Sequence, residues 1–286
     1  MEFLQPSTWD DALAAKAAVP DAVPIAGGTD VMVEMNFDRR RPPALLDLTR
    51  VESLAEWVLD GPYLRVGAGV TYGRVIEELG SLAPGLAMAS RTVGSPQIRN
   101  RGTVGGNLGS ASPAGDAHPP LLASGALVEL ASVRGVRRVP VEEFFTGPKR
   151  SALAPDELIA AVLVPPASGP QQFAKVGTRN AMVIAVCSFA LAVHPLARRV
   201  GTGIGSAGPT PLRAATAEAY AASELPWDAR GELADPVARR FGYLVAEAAV
   251  PIDDVRGTAA YRRHALAVLA RRTLAWAWAD YRGATS

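Results

Sequence analysis

Sixteen residues, Arg101 to Asp116, carry five glycines, a proline and three hydroxyl side chains, and close on a single carboxylate. No other stretch constrains the fold as strongly, because compact connections usually run about 4–6 residues and longer ones are functional or disordered. Apolar anchors in Ser95-Pro-Gln-Ile-Arg-Asn100 and Pro119-Pro-Leu-Leu-Ala123 argue for order on both flanks. Gly105 and Gly106 have no Cβ, so the chain there is free to take positive φ and to bring its N–H groups close to a ligand. Successive N–H groups of this kind make an anion cradle. A shorter version, Ala26-Gly27-Gly28-Thr29-Asp30, follows the apolar Val23-Pro-Ile25. Alone it reads equally well as a helix N-cap by Thr29 or Asp30, or as a phosphate site at a helix N-terminus. The second segment decides for the phosphate. Two such segments predict a nucleotide with a long phosphate bridge, held from two sides.

The chain as a whole bounds the remaining possibilities. Its 286 residues allow one large domain or two to three small ones. Hydrophobic residues make up 49% and charged ones 20%, a globular composition. With 29 basic against 28 acidic residues, no general electrostatic footprint for nucleic acid or anionic membrane exists, and phosphate binding must rest on local groups. The single Cys187 sits in an apolar run, so it can neither form an internal disulfide nor hold an iron–sulfur cluster. The first residues lack a basic region followed by an apolar one, and the longest apolar stretch, Ala181 to Val193, is too short to span a bilayer. A cytoplasmic protein without a membrane span is expected.

The pattern of elements predicts three α+β units, at residues 1–60, 61–170 and 171–286. Thr8-Trp-Asp-Asp11 reads as a capping box opening a helix to about Val19. A strand at Val23–Ala26, a helix over Asp30–Asn36 and a strand at Ala44–Asp47 complete the first unit. The second is expected to hold strands at Tyr63–Gly67, Ala126–Ser132, Val136–Val139 and Glu157–Val164, with a helix capped by Thr71. In the third, strands at Gln172–Val176, Met182–Val193 and Val200–Ala207 precede helices at Arg213–Ser223, Pro236–Ala249 and Thr258–Tyr281. Strands first and helices afterwards indicate α+β segregation.

A formal G-x-G-x-x-G at Gly203–Gly208 is rejected as a dinucleotide fingerprint, because Pro209 and Pro211 follow where a helix should open. His118, His194 and His264 have no metal-ligand spacing. Neither G-x-S-x-G nor a Ser-His-Asp or Cys-His pattern stands out. In the long segment, Ser110, Ser112 and Asp116 suit a polyol and Asn107 a phosphate or ring edge, although side-chain bonds that brace the segment itself would use the same residues. Arg99 and Arg101 flank it. A binding site without acid, base or nucleophile fits redox chemistry by a bound cofactor. A flavin dinucleotide matches best, with a pyrophosphate for both segments and a ribityl chain for the hydroxyls and carboxylate.

At these residues the chain resembles the FAD-binding medium subunit of the molybdenum hydroxylases, the group that contains xanthine dehydrogenase and carbon monoxide dehydrogenase. The resemblance rests on Ala26–Asp30, on Ser95–Asp116 almost end to end, on Asp156-Glu-Leu-Ile159 and on Phe173-Ala-Lys-Val-Gly-Thr-Arg179. It implies an α+β, FAD-binding fold of the PCMH/CO dehydrogenase flavoprotein type, with three subdomains and a C-terminal antiparallel sheet plus helices. Its implied pyrophosphate contacts are Ile25, Ala26, Gly27, Gly28, Thr29 and Asp30, with Thr103, Val104, Gly105, Gly106 and Asn107. Ser112 and Asp116 would lie near the ribityl and ribose region, and Leu158, Ile159 and Lys175 by the isoalloxazine ring. No catalytic side chain and no metal is implied on this chain. Partner subunits would carry a [2Fe–2S] cluster and molybdopterin, and electrons would leave FAD for NAD, quinone, oxygen or another acceptor. A stand-alone FAD-dependent oxidoreductase acting on a small molecule is the alternative reading. The stretch Asn180–Ile184 departs from relatives that place an aromatic residue there.

Overall fold

The computed structural model describes residues 1–228 and 231–283. Its first unit is a parallel three-stranded sheet of β1 (Glu2–Leu4), β2 (Val23–Ile25) and β3 (Ala44–Asp47), in the order β1-β3-β2. Parallel neighbours need crossovers, and these are α1 (Trp9–Ala18) and α2 (Val31–Asn36). Thr8 caps α1 as its sequence predicts, its Oγ1 accepting the Asp11 N–H at 3.1 Å.

The second unit is an antiparallel sheet of five strands, in the order β4-β5-β10-β6-β7. These are β4 (Trp57–Asp60), β5 (Tyr63–Gly67), β6 (Leu127–Ser132), β7 (Gly135–Pro140) and β10 (Leu158–Val164); a small hairpin of β8 (Phe145–Gly147) and β9 (Arg150–Ser151) lies beside them. All seven residues of β10 are buried, as a central strand covered on both faces requires. Five helices interrupt the sheet between β5 and β6: α3 (Tyr72–Glu78), α4 (Pro84–Arg91), α5 (Pro96–Arg101), α6 (Val104–Ser110) and α7 (His118–Ser124). The short α8 (Val141–Phe144) follows β7. One hydrophobic core runs through both units, from Leu13 and Leu46 to Leu64, Leu108, Leu130 and Val162.

The third unit is a meander of β11 (Gln171–Val176), β12 (Cys187–His194) and β13 (Arg199–Gly205), followed by α9 (Ala215–Glu224), α10 (Asp235–Ala248) and α11 (Ala259–Gly283). Phe189, Phe241, Leu266 and Trp278 anchor its own core. Glycines of the rejected fingerprint have a packing role: a Cβ on Gly203 would run into the carbonyl of Pro119 on α7, and one on Gly205 into the Ser188 hydroxyl and the Pro119 ring. The expected strand Met182–Val193 is corrected to β12, which starts only at Cys187. The ladder with β11 ends at the pair Val176–Cys187, and Met182 and Ile184 are more than half exposed. Among the described residues no helix is long and apolar enough to cross a membrane.

Candidate functional site

A cleft of about 1360 Å³ opens between the first two units and reaches Met182–Ile184, ahead of β12. Ordinary small-molecule pockets measure roughly 300–1,000 Å³, so this one suits a long ligand. Of the sixteen predicted contacts, Ala26, Gly27, Gly28, Thr29, Asp30, Thr103, Gly105, Gly106, Asn107, Ser112, Asp116, Leu158 and Ile159 line it. Ile25, Val104 and Lys175 do not. Val104 is fully buried in the core, and Lys175 spends its ammonium on protein groups.

The two glycine segments differ from each other. Between β2 and α2, Gly28 takes φ +75°, the left-handed conformation that favours glycine. The next residues start α2, yet Asp30 makes no side-chain cap bond. The N–H groups of Gly27, Gly28, Thr29 and Asp30 meet no acceptor among the described residues. Four consecutive amides without a partner at a helix start form an anion cradle. Burial holds the Asp30 carboxyl above the usual carboxylate range, helped by Glu34 and opposed by Lys149.

The longer segment is helical where a cradle of free amides was expected. Thr103 caps α6 by accepting the Gly106 N–H at 2.9 Å. Val104 donates to Val70 O at 3.1 Å, Gly105 to Ala68 O at 3.0 Å and Asn107 to Thr103 O at 3.1 Å. Neither Gly105 nor Gly106 has positive φ. Gly105 is glycine because a Cβ would lie 2.5 Å from the Ala68 Cβ. The Gly106 Cβ position meets only Thr103 Oγ1, at 3.0 Å. The segment therefore supplies a close, flat wall.

Asp116 ends that wall. Lys175 reaches from β11 to donate to Asp116 Oδ2 at 2.6 Å and to Thr92 O at 3.2 Å, and Thr92 Oγ1 lies 3.3 Å from the same carboxylate oxygen. Burial still pushes the Asp116 carboxyl above its ordinary range, with Lys175 opposing. Asp116 Oδ1 and Asn107 Oδ1 are buried and receive no donor from the described residues. His118 is fully buried against Phe145, its Nε2 3.2 Å from Asn107 O, and desolvation lowers its pKa to about 4.

Sequence reasoning missed several lining residues. Tyr72, Asn100, Gly102, Arg39, Arg40 and Lys149 face the cleft, as do Met182, Val183 and Ile184. Gly102 belongs to the glycine-rich run and Met182–Ile184 to the stretch that departs from relatives, and the triplet Arg39-Arg40-Arg41 offered a further signal, as a local excess of charge. Of the flanking arginines, Arg101 lines the cleft, whereas Arg99 donates to the carbonyls of Val93 and Gly94 at 3.1 and 3.2 Å and braces the turn before α5. Among the described residues no group of three or more His, Cys, Asp or Glu could hold a metal. The unpaired amides suit a diphosphate and the undonated buried oxygens suit hydroxyl groups, so the residues present fit a flavin dinucleotide.

Comparison with known proteins gives the family. Residues 1–167 match the FAD binding domain in molybdopterin dehydrogenase, and residues 172–277 match the CO dehydrogenase flavoprotein C-terminal domain. The chain belongs to this family and is an FAD-binding oxidoreductase subunit of the molybdenum hydroxylase type. The FAD subunit of nicotinate dehydrogenase from Eubacterium barkeri is 35% identical over 202 residues, 67% of this chain and 68% of that one. The medium subunit of nicotine 6-hydroxylase from Paenarthrobacter nicotinovorans is 29% identical and covers 96% of each chain. In carbon monoxide dehydrogenase from Hydrogenophaga pseudoflava, a chain 25% identical superposes with a TM-score of 0.89 over 98% of both chains.

Proposed function

We propose that this chain binds FAD along the cleft, takes electrons from a [2Fe–2S] subunit of a cytoplasmic molybdenum hydroxylase complex, and delivers them to an acceptor such as NAD. The observation that carries the reading is the run of four unpaired amides, Gly27 to Asp30, facing a cleft that continues past Asp116 to Ile159. Bound FAD supplies the chemistry, accepting and releasing one or two electrons.

The protein's part is to hold and exclude. The Gly27–Asp30 amides receive the pyrophosphate without needing a cationic side chain. The flat face at Gly105 and Gly106 lets the chain approach the ligand closely. Asp116, fixed through Oδ2 by Lys175, keeps Oδ1 for a ribityl or ribose hydroxyl, and Leu158 and Ile159 give the ring an apolar floor. In this reading Lys175 acts through Asp116. Units at 1–60, 61–170 and 171–286 remain the proposed division, although β4, inside the first of these ranges, pairs with β5 in the sheet of the second unit.

Titration of the purified full chain with FAD, followed by flavin fluorescence and absorbance, tests the cofactor. Anaerobic mixing of the loaded chain with its reduced [2Fe–2S] subunit tests the electron path: bleaching of the flavin band is expected. Bleaching by a small organic substrate with no partner present would instead make the chain a stand-alone oxidoreductase. Failure to bind FAD would remove both readings.

A further inference from the structure

Three buried side-chain oxygens that meet no partner among the described residues, Tyr72 Oη, Asn107 Oδ1 and Asp116 Oδ1, belong to residues that line the cleft. Those of Asn107 and Asp116 accept; the Tyr72 hydroxyl is the donor of the group. Tyr72 opens α3 and is 2% exposed, its N–H donating to Gly102 O at 3.0 Å. The backbone there is fixed, because the preceding Thr71 hydroxyl caps the same turn. A Cβ on Gly102 would lie 3.5 Å from the Tyr72 ring and 3.6 Å from Thr29 Oγ1, so the phenol stands where the two glycine segments meet. Burial, then the charges of Asp116 and Asp30, hold it well above its ordinary range, and it stays protonated. A buried hydroxyl without a partner is unfavourable in the fold, and phenylalanine would fill the same volume without it.

We infer that Tyr72 is a ligand-binding residue: its hydroxyl donates to one ribityl hydroxyl of the flavin dinucleotide, which in turn donates to Asp116 Oδ1. The inference rests on the function proposed above. Tyr72 Oη lies near enough for the Asp116 charge to act on it, yet the two are not bonded to each other. Asp116 is not free to turn, because Lys175 and Thr92 hold its other oxygen. A group that completes both must accept from one and donate to the other. A phosphate oxygen only accepts, whereas an alcohol does both. Asp116 stands between the Gly27–Asp30 amides and the apolar floor at Leu158 and Ile159, and the part of the dinucleotide between pyrophosphate and ring is the ribityl chain.

The test compares the full wild-type chain with Tyr72→Phe, which removes one oxygen. Affinity is measured by fluorescence titration with FAD and with analogues that each lack one ribityl hydroxyl, and stability of the apo protein by urea denaturation. Tyr72→Phe is expected to weaken FAD binding about tenfold, while the urea midpoint of the apo protein stays level or rises. With one of the analogues the wild type should lose a similar factor and Tyr72→Phe should cost nothing further, because the partner is already gone. Wild-type FAD affinity in Tyr72→Phe overturns the assignment of this residue alone. A lowered urea midpoint also overturns it, by giving the hydroxyl a partner within the protein. An undiminished cost with every analogue overturns the ribityl contact. Failure of the wild-type chain to bind FAD overturns the proposed function and this contact with it.

Discussion

Gly105 and Gly106 are neighbours in one helix, yet alanine at each position should produce opposite effects. At Gly105 a Cβ would stand 2.5 Å from the Ala68 Cβ, 2.7 Å from the Ala68 O and 2.8 Å from the Ala68 Cα. Ordinary carbon contacts are about 3.5–4.0 Å, so roughly an ångström of overlap falls on backbone atoms that cannot rotate away. The Gly105 N–H bond to Ala68 O, at 3.0 Å, would be strained by the same displacement. Overpacking of this kind costs about 1–3 kcal/mol, against about 0.5–1 kcal/mol gained by replacing glycine within a helix. Overlap with backbone atoms puts the cost at the upper end of that range, so Gly105→Ala should lose about 2 kcal/mol of stability in the protein without cofactor. At Gly106 only the Thr103 hydroxyl is near, at 3.0 Å; the helix gain and this tight contact offset one another, and stability should stay within about 1 kcal/mol of wild type. The methyl group would still intrude on the cleft, and FAD affinity should fall about tenfold or more, with Gly106→Val worse. Urea denaturation of the apo protein and FAD titration by fluorescence measure the two quantities separately. Wild-type FAD affinity in Gly106→Ala, or wild-type stability in Gly105→Ala, would refute the division of labour.

Lys175→Met should leave the Asp116 carboxylate buried without its cation, at a loss of about 3 kcal/mol near neutral pH; burial holds this acid above its ordinary pKa in the fold, so the loss should grow as pH rises through the carboxylate range, and Asp116→Asn in the same background should recover most of the lost thermal stability. His118 is held neutral, with a folded pKa of about 4 against the ordinary 6.5, so stability is present above 6.5 and is lost as pH falls towards 4. Between pH 7 and pH 5 the wild type should lose about 2 kcal/mol more than His118→Asn in urea titrations, and parallel losses would place the pH dependence elsewhere. Cys187 is fully buried and its thiol is pushed up to about 12 by burial; an aromatic disulfide reagent at pH 8 should label it only after denaturation, and rapid native labelling would contradict its place at the start of β12.

The large periodic elements were legible because one physical cause dominated each. The capping box at Thr8, the hairpin β6–β7 and the buried run of β10 follow from local bonding or from hydrophobic pattern alone. Helices α4 and α5 were missed. Each is a single short proline-led segment rich in small or polar residues, and its stability comes from where it packs. The end of the apolar run at Met182 was misjudged for a related reason, since pattern cannot show that β11 has no residue left to pair with it. Cleft residues such as Arg39, Lys149 and Tyr72 carry no motif and meet only through tertiary packing.

The glycine segment shows most sharply how far composition reaches. Glycine density marked this segment as a place where backbone must come close to something. It could not say to what. Gly105 answers to Ala68 and Gly115 to the His118 ring, both within the protein, while Gly106 has no such neighbour beyond Thr103 Oγ1. Val70, Ala68 and Thr103 consume the amides of α6, so the proposed anion site is Gly27–Asp30, where the sequence signal was weaker and an N-cap explained it as well. Asp30 makes no cap bond and the amides there have no acceptor among the described residues, so in the proposed reading the shorter motif carries the charge recognition and the longer one the shape.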